Sequence, residues 1–425
     1  MFPPPYRTKV VEEISLIPIQ ERIEVIRKAG YNPFLIPQNK VFVDLISDSG
    51  TSAMSAKQWA FLIESDEAFS YQDSYDAFVS KVKSLTGYRY ILPVHQARAA
   101  EHILFRSLIK EGDTAIANTF FSTTQEHISL LGATPINLLT KNKKFLGNLN
   151  IERAEEVLKK KRVGFILLSI TNNIQGGQPV SLKNLREAKR ICQKYKVPLI
   201  LDACRFAENL FLIKEREEGY ARKSIPSIAK EVFSLADITY LSAKKDGLSN
   251  IGGFIALNDK ELANRLESLI GLFEGFPSHG GLTGRDMAAM TQGLSEALDH
   301  RHLRFRIEQV RFLAERLKKE GVPILEPVGG HAVCIDPYKF APYLKRFGAY
   351  SLASQVYIQG GVRGGVFIEG REIYRLAIPR RVYANTHLEY TAQIIGEVYK
   401  RQKLPLLRCI YQPKYLRSFL SKFRE

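Results

Sequence analysis

The chain has 425 residues, 45% hydrophobic and 25% charged, and its 61 Lys and Arg outnumber 44 Asp and Glu to give a net charge of +17. That length suits two domains with a large core, and the composition excludes a disordered, collagenous or disulfide-stapled chain. The N-terminal MFPPPYRTKV has no signal-type apolar region and FILLSI (165–170) is too short to cross a bilayer, so a cytoplasmic protein without membrane association is expected.

The first 45 residues are Pro-rich and then mildly amphipathic, and are read as an N-terminal arm with part of a small domain. From about 85 the chain alternates apolar strands with amphipathic helices. Strands are expected over 88–94, 114–120, 134–139, 163–171, 197–203, 236–243 and 252–258. Helices are expected over 97–110, 123–131 and 182–196. This alternation predicts an α/β fold, a large mostly parallel sheet covered by helices on both faces, over 46–300. After about 300 the texture changes. A charged helix over 302–321 stops at Gly321-Val322-Pro323, and a smaller α+β domain is expected over 301–425.

Cys192, Cys204, Cys334 and Cys409 share no CxxC or zinc-type spacing and are read as reduced core thiols. The basic clusters at 141–144 and 159–162 lack interleaved aromatics, so they are read as solvated faces and no nucleic-acid partner is expected.

Ligands of parallel α/β sheets bind beyond the C-terminal ends of the strands, and chemistry-bearing residues gather there. Gln96, Ala97 and Arg98 follow strand 88–94 at a helix start, where backbone N–H groups favour phosphate. Phe121 follows strand 114–120 and could stack on a flat cofactor. Asn173 stands in a Gly- and Pro-marked loop after strand 163–171. Asp202 ends a nearly all-apolar strand with Arg205 close behind, and a buried acid there needs a partner. Lys244 and Lys245 end strand 236–243 in SAKKDG. A lysine beside a second cation is easily deprotonated and becomes a good imine former. The order phosphate loop, aromatic, Asp, then Lys points to pyridoxal 5′-phosphate (PLP), with the Asp keeping the pyridine nitrogen protonated.

The segments SDSGTSAMS (47–55), HQARAAEH (95–102), NTFFSTTQEH (118–127), DACRFAEN (202–209), SAKKDGLSNIGGF (242–254), EGFPSHGGLTGRDM (274–287) and YRLAIPRRVY (374–383) resemble those of the β-eliminating lyases, tryptophanase and tyrosine phenol-lyase, slightly more the latter. The likeness runs along essentially the whole chain. It implies the aspartate aminotransferase-type fold (fold type I), a homotetramer built as a dimer of dimers, and β-elimination from an L-amino acid to give pyruvate and ammonia. Lys245 would carry the Schiff base and remove the substrate α-proton, with Lys244 beside it. Asp202 would meet the pyridine nitrogen, and Arg205 and Asn173 the ring oxygen. Gln96, Ala97, Arg98 and Ser242 would hold the phosphate, Ala97 standing where the family has Gly. Phe121 would stack on the ring. Arg375 would clamp the substrate carboxylate with support from Ser47 and Ser49, and Gly50, Glu67 and Asn250 match a monovalent-cation site, usually potassium.

The departures concern the leaving group. Phe69 stands where the family has a tyrosine acid, and Tyr71, two residues on, is the candidate substitute. Phe367 falls near the arginine of tyrosine phenol-lyase. Ser122 replaces a threonine or aspartate, and Ser418 with Phe419 replaces a C-terminal aromatic or histidine. Loss of a positioned acid costs orders of magnitude in rate, so substrates with self-sufficient leaving groups are expected to react best. Transamination or β-replacement would use the same cofactor residues. A basic binding protein without catalysis is the alternative of another class.

Overall fold

The computed structural model describes residues 2–140, 144–173, 176–368 and 371–425; residues 141–143 of the first basic cluster and residues 174–175 of the Asn173 loop lie outside them. The chain forms two compact units, Met1–Asp48 with Phe305–Glu425, and Ser49–Arg304. The first contains β1 (Val43–Leu45). The second contains β2 (Tyr90–Val94), β3 (Thr114–Ala117), β4 (Thr134–Asn137), β5 (Val163–Ser169), β6 (Leu199–Asp202), β7 (Ile238–Ser242) and β8 (Gly253–Leu257).

These seven strands of the second unit make one sheet in the order β2-β8-β7-β6-β5-β3-β4, in which β8 runs antiparallel to both neighbours and the remaining pairs are parallel. Every residue of β7 and β8 is buried, which is why these strands read as continuous apolar runs rather than alternating ones. The helix Ala97–Leu108 presses Ala100, Ile103, Leu104 and Phe105 into the core of this unit. The helix Leu182–Tyr195 starts where Ser181 accepts from Asn184 N–H and ends at left-handed Lys196.

Several strands stop short of their expected ends, among them β3 at Ala117 and β5 at Ser169. Asn118 explains both. Its amide donates to Gly147 C=O (2.7 Å) and Ser169 C=O (3.1 Å) and accepts from Ser169 N–H (3.0 Å), so a side chain takes over the ladder where the backbones diverge.

In the first unit, β9 (Ala332–Ile335), β10 (Val362–Phe367) and β11 (Ile373–Ala377) join β1 in the order β1-β10-β11-β9, with only β1 and β10 parallel. Two buried ion networks brace it. Arg363 forks onto Asp44 (3.0 and 2.6 Å), and Arg380 donates to Asp48 at 3.0 Å while Arg306 lies 3.9 Å from the same carboxylate. The expected thiol pattern needs one correction. Cys192, Cys204 and Cys334 are buried, but Cys409 is exposed, because it lies on the ribbon of β12 (Arg408–Tyr411) and β13 (Lys422–Arg424), whose first strand is exposed throughout.

The loop after β7 is pinned by backbone proximity. Gln58 Nε2 donates to Leu248 C=O (2.9 Å) and Ala289 C=O (3.1 Å), and a Cβ on Gly293 would lie 2.0 Å from Gly247 O. Gly293→Ala is therefore expected to destabilise the protein by about 1–3 kcal/mol through overpacking, seen as a lower urea midpoint. Gly271→Ala, whose methyl would meet only Pro277 at 3.9 Å, should be neutral or stabilising by up to about 1 kcal/mol in the same assay.

Candidate functional site

The C-terminal ends of β2 and β7 bring together groups of the kind that bind anions. The helix Ala97–Leu108 begins at extended Gln96 and no side chain caps its first turn. Ser242, the last residue of β7, is 1% exposed and its Oγ has no hydrogen-bond partner among the described residues. Gly253 lets these parts approach, since a Cβ there would lie 2.3 Å from Leu241 O and 3.5 Å from Ala97 N. Lys244 donates to Gln96 Oε1 at 3.0 Å, and its ammonium loses protons more readily than usual because of burial first, then Lys245 and Arg98. Arg98 itself is exposed.

Gln96 is held from its other side by a residue that sequence reasoning missed. Gln96 Nε2 lies 2.9 Å from His95 Nε2, and His95 Nδ1 contacts the Glu274 carboxylate. If the amide donates to His95, the imidazole proton sits on Nδ1, facing Glu274. A chain Glu274–His95–Gln96–Lys244 thus orients the loop.

Asp202 marks the other end of the site. One carboxylate oxygen accepts from Ser169 Oγ (3.2 Å) and the other from Cys204 N–H (3.1 Å). Lys245 lies in the tight loop after β7, its N–H directed at Ser242 C=O (3.4 Å) and its C=O accepting from Leu248 N–H (3.0 Å). The adjacent Asp246 carboxylate accepts from Ala207 N–H (2.7 Å) and Glu208 N–H (3.2 Å), tying the lysine loop to the helix that follows Asp202 and Arg205. Arg205 is buried at that helix start. Phe121 is half-buried as the residue preceding the helix Ser122–Leu130, and Ser122 Oγ is buried with no hydrogen-bond partner. Asn173 occupies a turn in which its C=O accepts from Gly176 N–H (3.2 Å).

Behind Asp202 lies a second unforeseen group. Glu101 Oε1 accepts from Thr124 Oγ1 (2.6 Å) and from Tyr240 OH (3.0 Å). Burial raises the Glu101 carboxyl to about 7, and the Asp202 charge pushes the same way. The signal was present in the sequence: Glu101 falls on the apolar stripe Ala97, Ala100, Leu104, Phe105 of its helix, where an acid is out of place.

The remaining expected residues divide among several places. Gly50 N–H donates to Lys244 C=O at 2.7 Å, and its α-carbon faces Asn250 O, so these two are brought together. Glu67 instead pairs with Arg285 at 2.7 Å on the surface. Among the described residues no three or more His, Cys, Asp or Glu side chains gather as a metal cluster. Phe69 and Tyr71 are 81% and 76% exposed and join Phe276, His279 and Tyr75 in an aromatic surface cluster. Ser49 lies in this unit near Gly50, whereas Ser47 belongs to the other unit with Arg375, Phe367, Ser418 and Phe419. There Arg375 is buried, with Nη2 3.5 Å from Ile46 O and its guanidinium 4.2 Å from the centre of the Phe367 ring. Ser418 is buried with its C=O accepting from Tyr350 OH (3.0 Å), and Phe419 packs on Phe34 with centroids 4.7 Å apart.

The donors fit PLP: a buried hydroxyl without a partner among the described residues, an uncapped helix start and a lysine pair suit a phosphate, and a carboxylate is presented at the end of the strand adjoining β7. Fold and strand-end chemistry together define a PLP-dependent enzyme of the aspartate aminotransferase type. Solved structures share this fold at low identity. Serine palmitoyltransferase of Sphingomonas wittichii superposes with a TM-score of 0.65 at 13% identity, covering 90% of this chain and 96% of that one. A SepCysS–SepCysE N-terminal domain complex gives 0.59 at 15% identity, covering 85% and 95%.

The chain belongs to the beta-eliminating lyase family, whose pattern matches residues 44–394. Tyrosine phenol-lyase of Pasteurella multocida is 40% identical over 99% of this chain and 98% of its own length. Tryptophanase of Salinibacter ruber is 43% identical over 99% and 95%. The protein is thus a PLP-dependent lyase that performs β-elimination on amino acids.

Glu101 makes the stability of the protein pH-dependent. Its folded-state pKa lies above the unfolded value of about 4.5, so its contribution is complete below that value and is lost as pH rises toward 7. Compared with Glu101→Gln, the wild type should lose up to about 3 kcal/mol between pH 4.5 and 7 in denaturant unfolding of the cofactor-free protein. An unchanged stability difference across that range would show that the carboxyl is not held protonated.

Proposed function

We propose that the enzyme releases pyruvate and ammonia from L-amino acids whose β-substituent departs without a protein acid, S-substituted cysteines in particular. When bound, PLP supplies an electron sink for the bond-breaking steps. Lys245 holds the cofactor through its amine and takes the substrate α-proton on Nζ. Lys244, Gln96, Ala97, Arg98 and Ser242 bind the phosphate. Asp202 keeps the pyridine nitrogen protonated, Arg205 and Asn173 orient the ring oxygen, and Phe121 covers the ring face. Arg375, with Ser47 and Ser49, receives the substrate carboxylate, a planar bidentate task suited to guanidinium.

The observation that carries the leaving-group reading is Phe367. A hydrocarbon ring stacked 4.2 Å from the Arg375 guanidinium gives that part of the substrate region no proton to transfer. Phe69 is equally unable to donate. Ser122, with its buried hydroxyl, and Phe419 complete the group proposed to meet the substrate side chain.

A homotetramer, a dimer of dimers, is proposed with the aromatic cluster of Phe69 and Tyr71 against a second copy. Support comes from their exposure, 81% and 76%, which leaves two large rings in water on the single chain. In that arrangement Tyr71 would stand at the neighbouring copy's site, and acid transfer from it is the alternative that the substrate panel decides. Gly50, Glu67 and Asn250 are proposed to bind potassium. Support comes from the approach of Gly50 to Asn250 O, and binding there requires Glu67 to exchange Arg285 for the ion. A cytoplasmic location accords with the absence, among the described residues, of any helix long and apolar enough to cross a membrane.

Pyruvate release across an amino-acid panel, with potassium present, tests the reading. S-alkyl cysteines should react faster than tryptophan or tyrosine; equal release of indole or phenol sinks the leaving-group proposal. Lys245→Ala should abolish both turnover and the visible absorbance of bound cofactor. Arg375→Lys should raise KM by about 10–100-fold, the worth of one charge-assisted hydrogen bond lost from a bidentate pair.

A further inference from the structure

A buried acid that the proposed reaction does not use lies one side chain away from the residue assigned to the pyridine nitrogen. Asp202 and Tyr240 are register partners across β6 and β7, so their side chains stand next to each other on one face of the sheet. Ser169, the register partner of Asp202 on β5, donates to Asp202 from the other side. Tyr240 in turn donates to Glu101, which also takes the Thr124 hydroxyl. Tyr240 thus stands beside Asp202 in the sheet while its hydroxyl serves Glu101.

The two carboxyls are not equivalent. Asp202 is only partly buried and has a hydroxyl and a backbone N–H on its two oxygens. Glu101 is 5% exposed, and both of its hydroxyl donors converge on the same oxygen. Burial, and after it the Asp202 charge, disfavour the ionised form of Glu101.

The surroundings of Glu101 contain few other charges. Tyr240 comes from β7, Asp202 from β6 and Lys245 from the loop after β7. The helix Ser122–Leu130 contributes Thr124, and its His127 faces His102. On Glu101's own helix, Arg98 acts on His127 and Lys244, and His102 packs on Phe273. Strands β2 and β8 offer Leu92, Val94 and Ile255 to this core, and the helix Lys260–Phe273 offers Leu266 and Ile270, all apolar.

We propose that Glu101 is a positioning residue for the cofactor ring: acting through Tyr240 and Asp202, it couples cofactor binding to the release of a proton from its own carboxyl. The proposal rests on the reading that Asp202 faces the pyridine nitrogen. A protonated ring nitrogen beside Asp202 brings a positive charge into the pocket that Glu101 shares. That charge favours the ionised form of Glu101, so the carboxyl proton leaves to solvent when the cofactor binds near neutrality. By linkage, cofactor affinity must then rise with pH over the range in which free Glu101 loses its proton. The burial that holds this carboxyl near pH 7 puts that range at ordinary working pH.

The test is the dissociation constant of PLP, measured by absorbance titration of cofactor-free protein at intervals from about pH 6 to 8.5, a range spanning the neutral region in which such a shifted acid titrates. Wild type, Glu101→Gln and Tyr240→Phe are compared. The ratio of Kd for Glu101→Gln to Kd for wild type should grow with pH by at least about threefold, the effect of a half-unit change in one proton affinity. Tyr240→Phe removes a donor from the carboxylate and should move the pH dependence to higher pH. A residue that only packs would weaken binding by the same factor at every pH, so a constant ratio overturns the proposal. Should Glu101→Gln fail to fold, an unmoved profile in Tyr240→Phe overturns it equally. If wild type binds no PLP, or Lys245→Ala yields the same visible spectrum with PLP as wild type, the reading of the site fails as well. A normal wild-type spectrum with parallel variant profiles sinks the Glu101 role alone.

Discussion

Charge at the carboxyl edge of a buried parallel sheet has nowhere cheap to go, and the arrangement of the larger unit follows from that constraint. Strands β5 to β8 are apolar almost to their last residues, and then the chain places Asp202 and the Lys244-Lys245 pair at adjacent strand ends. Each charge is accommodated differently. Asp202 takes two donors, Lys244 leans on Gln96, and Glu101, the most deeply buried, keeps its proton into the neutral range. The vacant hydrogen-bonding capacity of Ser242 and the uncapped helix at Ala97 complete an edge whose electrostatics suit an anionic ring cofactor.

Much of this was legible in the sequence because strand ends are legible. Apolar runs, each followed by a polar residue of unusual type, mark the strand ends where Gln96, Asp202 and Lys245 stand. The ends of β3 and β5 were overrun because the residue that ends them, Asn118, works through side-chain bonds to segments far along the chain. Periodicity carries no trace of such bonds. Glu101 was overlooked for a related reason. Its position on an apolar stripe was visible, but its meaning depends on Tyr240 and Thr124, one on a strand about 140 residues away. Cys409 illustrates the opposite failure: an apolar-looking residue type on a short exposed ribbon.

The smaller unit solves its own charge problem with arginine. Asp44 and Asp48 are both buried, and each is met by at least one buried guanidinium, Arg363 for the first and Arg380 with Arg306 for the second. Removing either partner alone would strand a buried charge at a cost of about 3–5 kcal/mol, so each network ties its arginine to its acid in one arrangement. Arg375 is buried in the same unit with its guanidinium against the Phe367 ring and near the Ile46 carbonyl.

The glycine contact beneath the lysine loop has a consequence for how this enzyme can diversify. Gly247 and Gly293 meet with no space for a side chain on either, and Gln58 threads two further carbonyls into the same joint. Backbone touching backbone leaves nothing to trim or enlarge, so the segment that carries Lys245 cannot be re-aimed by small steps. Sequence change in this family member therefore has to leave that joint alone: the lysine loop is an inherited anchor, and variety has to come from residues outside it.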